Sequence, residues 1–392
     1  MKNIFLNRII FFVFWLYFFA FRGLLGMRIL DYISISLVPI GIIMLILTNK
    51  ESLKTIKWVS FLAFPLFISI IVDPSIYIIF IVIKIYLVAV YFVMYFKVMR
   101  INNFELICFT MPVFISVYYF IQPRPEDYEY LMKGRLTGIS EPNFTSMSLI
   151  ICLSGALSIH KLSNRKIVKL IMITIILICF WGVLLTASRA GFFAIIVIII
   201  LLPFLKVIKW HKALVALFFI ILVSFNSDIV FEITNKLFVF ERIQTLYTKH
   251  DSLIEAVYEE RPFTASAFDT VVHDEWFVGG GPLRVSEWSL YNRVVPHNSF
   301  LDIGLEFGRA SFYFYSLLFF IIFLINLSII LKTFKHSAIK NNTSLISPMF
   351  FLSLTPMFFS LSAGMTLIFI FWMTLGTYPL LIHLFKFPKI RI

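Results

Sequence analysis

The residues able to do chemistry are few, and they stand apart from an aliphatic background. Lys84 lies in the apolar run 75–99, roughly 14 Å from its nearer end at 1.5 Å per residue. An ammonium that deep in hydrocarbon faces a cavity or a partner. Snorkelling is the competing reading, and the central position of Lys84 works against it. Arg189 stands in the small-residue turn Thr186-Ala187-Ser188-Arg189-Ala190-Gly191. Such a turn lets the backbone approach a ligand closely, and a guanidinium there suits an anion; the alternative is an arginine that only marks a membrane interface. His297 comes just before an apolar run. Its imidazole can accept a proton near neutral pH, or simply hold a hydrogen bond. His250 and His273 belong to the same polar stretch. So do Arg242, Arg261, Arg284 and Arg293, set among Glu241, Glu255, Glu259, Glu260, Asp269, Asp274, Glu275 and Glu287. By composition alone most of these are solvated surface charges.

The elements that must position these groups are helices. The chain has 392 residues, 60% hydrophobic and 14% charged. A soluble domain is about 45–50% apolar and about 25% charged, so an all-α polytopic membrane protein is expected. A span needs about 20 apolar residues. Candidates fall at 4–21, 29–48, 58–72, 75–99, 104–121, 143–159, 168–186, 191–205, 213–227, 309–331, 345–361 and 365–385. That makes about twelve transmembrane helices. No small-x-small cleavage site follows the first run, so it is expected to be retained.

Lys and Arg collect in cytoplasmic loops. Here they alternate: Lys50, Lys54 and Lys57; Lys97 and Arg100; Lys161, Arg165 and Lys166; Lys206, Lys209 and Lys212; Lys332, Lys335 and Lys340. Lys2 and Arg8 at one end, with Lys386, Lys389 and Arg391 at the other, join that side. Both termini are therefore expected in the cytoplasm. This bias accounts for most of the net charge of +13, so no nucleic-acid partner is implied. The expected organisation is transmembrane helices over 1–227, one large and mostly helical periplasmic loop over 228–308, and transmembrane helices over 309–392. Helical spacing recurs inside that loop, in Ile243, Leu246, Tyr247, Ile254, Val257 and Tyr258, and again in Phe263, Ala267, Phe268, Val271 and Val272.

Cys108, Cys152 and Cys179 fall inside apolar runs without metal-ligand spacing and read as small buried hydrophobes. There is no phosphate-cradling Gly-rich loop followed by Lys-Ser/Thr, no His-Glu-x-x-His and no Gly-x-Ser-x-Gly elbow. No inverted pair of Gly/Pro-broken spans of the transporter kind stands out.

Three elements then occur in order on the expected outer face. The first is Thr186-Ala187-Ser188-Arg189-Ala190-Gly191. The second runs from Arg261 through Ala267-Phe268 to Gly279-x-Gly281. The third is His297-Asn298-Ser299-Phe300-Leu301 followed by Glu306-Phe307-Gly308. With Glu141-Pro142-Asn143 at the start of the sixth run, they resemble the bacterial O-antigen ligase and O-antigen polymerase superfamily. The likeness is specific only over about 140–311. Ala265 departs from it where an aromatic is common, and Arg309-Ala310-Ser311 departs where apolar-x-Gly is usual.

The resemblance implies an inner-membrane glycosyltransferase whose site faces the periplasm. It would move a glycan from an undecaprenyl-diphosphate-linked donor to an acceptor hydroxyl. An O-antigen or surface-polysaccharide polymerase joining repeat units is the leading expectation. Residues 228–308 carry no dense basic face, acids outnumbering Lys and Arg there, which suits an uncharged glycan acceptor better than a phosphorylated one. A ligase moving glycan onto a lipid A core is the runner-up, and a polysaccharide flippase or transporter is the alternative of a different class. Implied partners are the lipid-linked oligosaccharide, a glycan or lipid A core acceptor, membrane lipid and a chain-length regulator, with no cofactor and no metal. Arg189 and Arg261 would neutralise the diphosphate leaving group, with Lys84 a weaker third cation. His297 would take the acceptor proton or orient the acceptor. Asn143 and Asn298 would bind substrate, Asn298 through polar sugar groups. Direct displacement with inversion is the simplest mechanism.

Overall fold

A computed structural model describes residues 2–16, 27–49, 53–72, 74–99, 103–114, 142–186, 188–204, 208–225, 262–273, 277 and 298–335. Among them regular structure is helical, with no strand. In chain order the helices are α1 (Lys2–Leu16), α2 (Met27–Thr48), α3 (Leu53–Leu62), α4 (Phe64–Val72), α5 (Ile76–Val98), α6 (Asn103–Thr110) and α7 (Pro142–Leu162). There follow α8 (Lys166–Leu185), α9 (Arg189–Phe204), α10 (Trp210–Phe225), α11 (Pro262–His273), α12 (Ser299–Phe307) and α13 (Arg309–Lys335).

Among the described residues, three stretches are long and apolar enough to cross a membrane: Ile78–Val98, Thr145–Leu162 and Lys166–Leu185. A fourth candidate is the pair α3 and α4, bent by 65°. Ile4–Trp15, Ser36–Thr48, Arg189–Phe204 and Arg309–Ile325 are shorter apolar helices at other expected spans. The expected runs 345–361 and 365–385 lie outside the described residues. The α8 helix turns Ile167, Leu170, Ile171, Leu177 and Trp181 outward, an apolar face that suits lipid and is unfavourable in water.

Two expected spans are interrupted, both at proline. Run 58–72 bends at Ala63, just before Pro65, whose ring excludes an unbroken helix and which has no N–H to give. Ala63 O there accepts from Leu66 N and Phe67 N, and Tyr315 Oη of α13 donates to Leu62 O at 2.5 Å. A carbonyl exposed by the bend is thus satisfied from a distant helix. Run 104–121 loses its helix at Thr110, two residues before Pro112.

The buried core runs through most of the helices, and its aromatic part lies between α1, α2, α5 and α6. Phe11 stacks on Tyr95 at 4.4 Å, and Trp15 meets Phe109 at 5.0 Å. A Cβ at Gly41 of α2 would stand 2.5 Å from the Tyr91 ring of α5, so the glycine permits that close approach. Glu105 of α6 is fully buried, and its Oε1 accepts from Tyr95 Oη at 2.8 Å and Arg8 Nε at 3.3 Å. Arg8, which falls in the expected span 4–21, is part of α1 and pairs with Glu105 of another helix. Cys108, Cys152 and Cys179 are buried free thiols, and Cys152 Sγ donates to Thr110 O at 3.1 Å. Beyond this core, α7 packs on α6, α8 and α9, while α12 packs on α11, α13 and α4.

Candidate functional site

The turn between α8 and α9 is built almost entirely from its own polar side chains. Thr186 ends α8, and its hydroxyl donates to Val183 O at 2.7 Å. The same oxygen accepts from Ser188 N at 3.2 Å. Ser188 then caps α9: its Oγ accepts from Gly191 N at 3.1 Å and its carbonyl from Phe192 N at 3.0 Å. Ser188 Oγ in turn donates to Asn143 Oδ1 of α7 at 2.6 Å. One turn further along α7, buried Ser146 lies directly against Gly191, where any Cβ would collide with its hydroxyl. Serine, threonine and glycine in this turn therefore serve its local structure.

Arg189 directly follows Ser188. It is the first residue of α9, half-buried, beside the first turn of α7. A cation at a helix N-terminus stands where the helix dipole is already positive, which disfavours it unless an anion is met there.

The described part of the third motif stretch folds as α12 and its two ends. Asn298 is its N-cap, with Oδ1 accepting from Phe300 N at 2.9 Å and Leu301 N at 3.3 Å. Its oxygen is thus engaged by the backbone. At the other end Gly308 adopts φ 86 and ψ 171, a backbone region that essentially only glycine occupies, so that α13 can start at once in a new direction. Residues 301–308 are all buried. Gly304 admits the Val271 side chain of α11, 2.6 Å from where a Cβ would stand. Nine residues of helix rise about 13 Å, too short to cross a bilayer.

Sequence reasoning did not single out the acids of this helix. Asp302 and Glu306 stand one turn apart and are 4% and 3% exposed. Glu306 Oε2 has no hydrogen-bond partner among the described residues. Burial holds its carboxyl well above the usual carboxylate range, and the neighbouring Asp302 pushes the same way. The available signal was two acids at i, i+4 amid Leu301, Ile303, Leu305 and Phe307. Arg309, a departure from the family pattern, also ties the local structure together, because its Nη1 donates to Val272 O near the C-terminus of α11 at 3.1 Å.

Of the expected site residues, Asn143 bonds Ser188, the residue before Arg189. Lys84 is half-buried on α5, with Nζ 5.8 Å from the centroid of Phe80, one turn nearer the helix N-terminus. Its chain therefore leans toward the end expected to face outward. Asn298 begins α12. His297 and Arg261 lie outside the described residues; they immediately precede Asn298 and the first residue of α11. His273 ends α11 on an exposed surface, with Nδ1 2.9 Å from Asp269 Oδ1. No group of three or more His, Cys, Asp or Glu able to hold a metal occurs among the described residues. No family model, curated protein or solved structure matches the chain.

Proposed function

We propose that the protein is a membrane glycosyltransferase that moves a glycan from an undecaprenyl-diphosphate-linked donor to an acceptor hydroxyl, acting as a polymerase of surface-polysaccharide repeat units. In this reading about twelve spans place both termini in the cytoplasm and residues 228–308 in the periplasm of a bacterial inner membrane. One observation carries it: Arg189 opens α9 beside the first turn of α7, in a turn whose other polar groups are used to hold it in place. A leaving diphosphate is the anion such an arginine suits, and a guanidinium can neutralise it without a metal.

Arg261 supplies a second guanidinium and Lys84 a third, weaker cation. His297, just before the α12 cap, takes the acceptor proton. Oxygen attack at the anomeric carbon breaks the bond to diphosphate, and inversion follows from a single displacement. Reconstitution with an undecaprenyl-diphosphate oligosaccharide tests this directly. Polymer should form without any lipid A core. Transfer only when that core is added identifies a ligase instead. His297→Ala should abolish transfer while donor binding persists; lost donor binding would move His297 to the diphosphate side.

A further inference from the structure

We propose that the helix ends carrying Lys169 and Lys212 form a site for the headgroup of an anionic phospholipid. The site lies at the end of α8 away from the turn that holds Arg189. It rests on the membrane-spanning character of α7 and α8 and not on the proposed glycosyl transfer. Helices α7 and α8 pack together and are joined by residues 163–165, where Ser163 Oγ accepts from Arg165 N at 3.2 Å. The chain returns to this junction at α10. His160, in the last turn of α7, stands within electrostatic reach of both Lys169 of α8 and Lys212 of α10. The start of α10 is held there by Ile208, packed against the buried core, and by Trp210, whose ring meets Phe204 of α9 edge-on at 4.8 Å.

Three helix ends thus bring cations together, and residues 142–227 contain no Asp or Glu to answer them. Among the described residues neither Lys169 nor Lys212 makes an ion pair. Both stand in the first turn of a helix, where the dipole is already positive and a cation is disfavoured. Arg165 begins α8 without a side-chain cap, so the first N–H groups of that helix and the two ammoniums favour the same ligand, an anion. The competing explanation is that such lysines only set orientation from a loop. Lys169 speaks against it, because it falls within the expected span 168–186 and is half-buried. The surroundings select lipid over a soluble anion. Exposed Ile167 and Leu170 flank Lys169 on α8, and exposed Leu214 and Val215 follow Lys212 on α10. Trp210, also exposed, is the residue type that settles at headgroup depth. A phosphate at the cluster would have its acyl chains against apolar helix surface, the arrangement expected of a basic pocket between membrane helices.

The test is melting of the purified full chain in neutral detergent during titration with phosphatidylglycerol, with phosphatidylcholine and glycerol phosphate as comparisons. Phosphatidylglycerol should raise the melting temperature saturably, and the other two should not, since one lacks net charge and the other lacks acyl chains. Lys169→Gln combined with Lys212→Gln should weaken the affinity for phosphatidylglycerol about tenfold or more, with unchanged melting in phosphatidylcholine. Lys169→Arg combined with Lys212→Arg keeps both charges and should respond as the unaltered chain does. Lys54→Gln combined with Lys57→Gln removes as much charge from another connection and should leave the response intact. The proposal is overturned if the unaltered chain does not distinguish phosphatidylglycerol from phosphatidylcholine, or if glycerol phosphate raises melting as well. It is overturned too if the glutamine pair at 169 and 212 keeps the full response, or if both glutamine pairs weaken it equally, as diffuse surface charge predicts. Should the pair at 169 and 212 melt lower even in phosphatidylcholine, those lysines serve packing and the proposal fails. No arm measures transfer, so every outcome leaves the proposed activity to its own test.

Discussion

The turn at 186–191 and the helix at 299–307 carry two of the three motif stretches, and they use their polar groups in different ways. In the turn, Thr186 and Ser188 build the cap, and the charged residue that follows is a cation, Arg189. In the helix, Asn298 and Gly308 build the two ends, and the charged residues between them are buried acids. The cation is half-buried at the start of a helix; the acids lie inside packing with α4, α11 and α13. The contrast teaches that a motif is first a way of folding, and that its chemistry is what remains once its caps and turns are assigned.

The largest effect expected from this contrast is at Arg189. Arg189→Lys keeps the charge but loses the planar fork that meets two phosphate oxygens, so transfer should fall by about a hundredfold or more. The variant should insert in the membrane and melt as before, because the capping groups around residue 189 are untouched. Unchanged turnover in the reconstituted assay would remove Arg189 from the chemistry and leave the turn purely structural.

The acids of α12 predict a stability effect instead. Glu306 has a folded-state pKa raised above its unfolded value, so the folded chain holds a proton that the unfolded chain releases. Stability is then lost as pH climbs from about 4.3, the ordinary glutamate value, through the raised one. One proton limits the slope to about 1.4 kcal/mol per pH unit. The nearest charges on its own helix and its neighbours are Asp302, which acts in the same direction, and Arg309, whose guanidinium is turned to Val272 O. Asp269 and His273 of α11 are exposed. Glu306→Gln should leave melting unchanged at pH 4 and raise it progressively above that. Parallel melting curves for the two proteins across pH would show that Glu306 is charged in the folded chain.

Much of this was legible in the sequence. Long apolar runs made the helical class plain, because a backbone in hydrocarbon must satisfy its own hydrogen bonds. Arg189 was legible because small residues surround it. The breaks at Pro65 and Pro112 were harder to read, since apolar composition continues across both. The pairing of Arg8 with Glu105 could not be read locally, because the two lie far apart along the chain. The link between Ser188 and Asn143, 45 residues apart, is tertiary and has no local signature. Glu306 was hidden for a related reason: its burial depends on Gly304 letting α11 come close.

The smallest effect sharpens the comparison by adding a cation that is not at a helix end. Lys84 sits within α5, and its ammonium lies over the Phe80 ring at 5.8 Å. That contact contributes about 0.5–2 kcal/mol depending on solvation, and it holds the side chain back along the helix. If Lys84 meets the donor as a third cation, it attracts the diphosphate equally before and during bond breaking. Such uniform binding affects KM and leaves kcat alone. Lys84→Met, of similar length and without charge, should therefore raise the donor KM a few-fold at unchanged kcat. Phe80→Leu should do the same more weakly, by freeing the ammonium without removing it. A fall in kcat for Lys84→Met would put the ammonium at the leaving group itself, beside Arg189. No change in either constant would leave Lys84 as a snorkelling cation held by its aromatic neighbour.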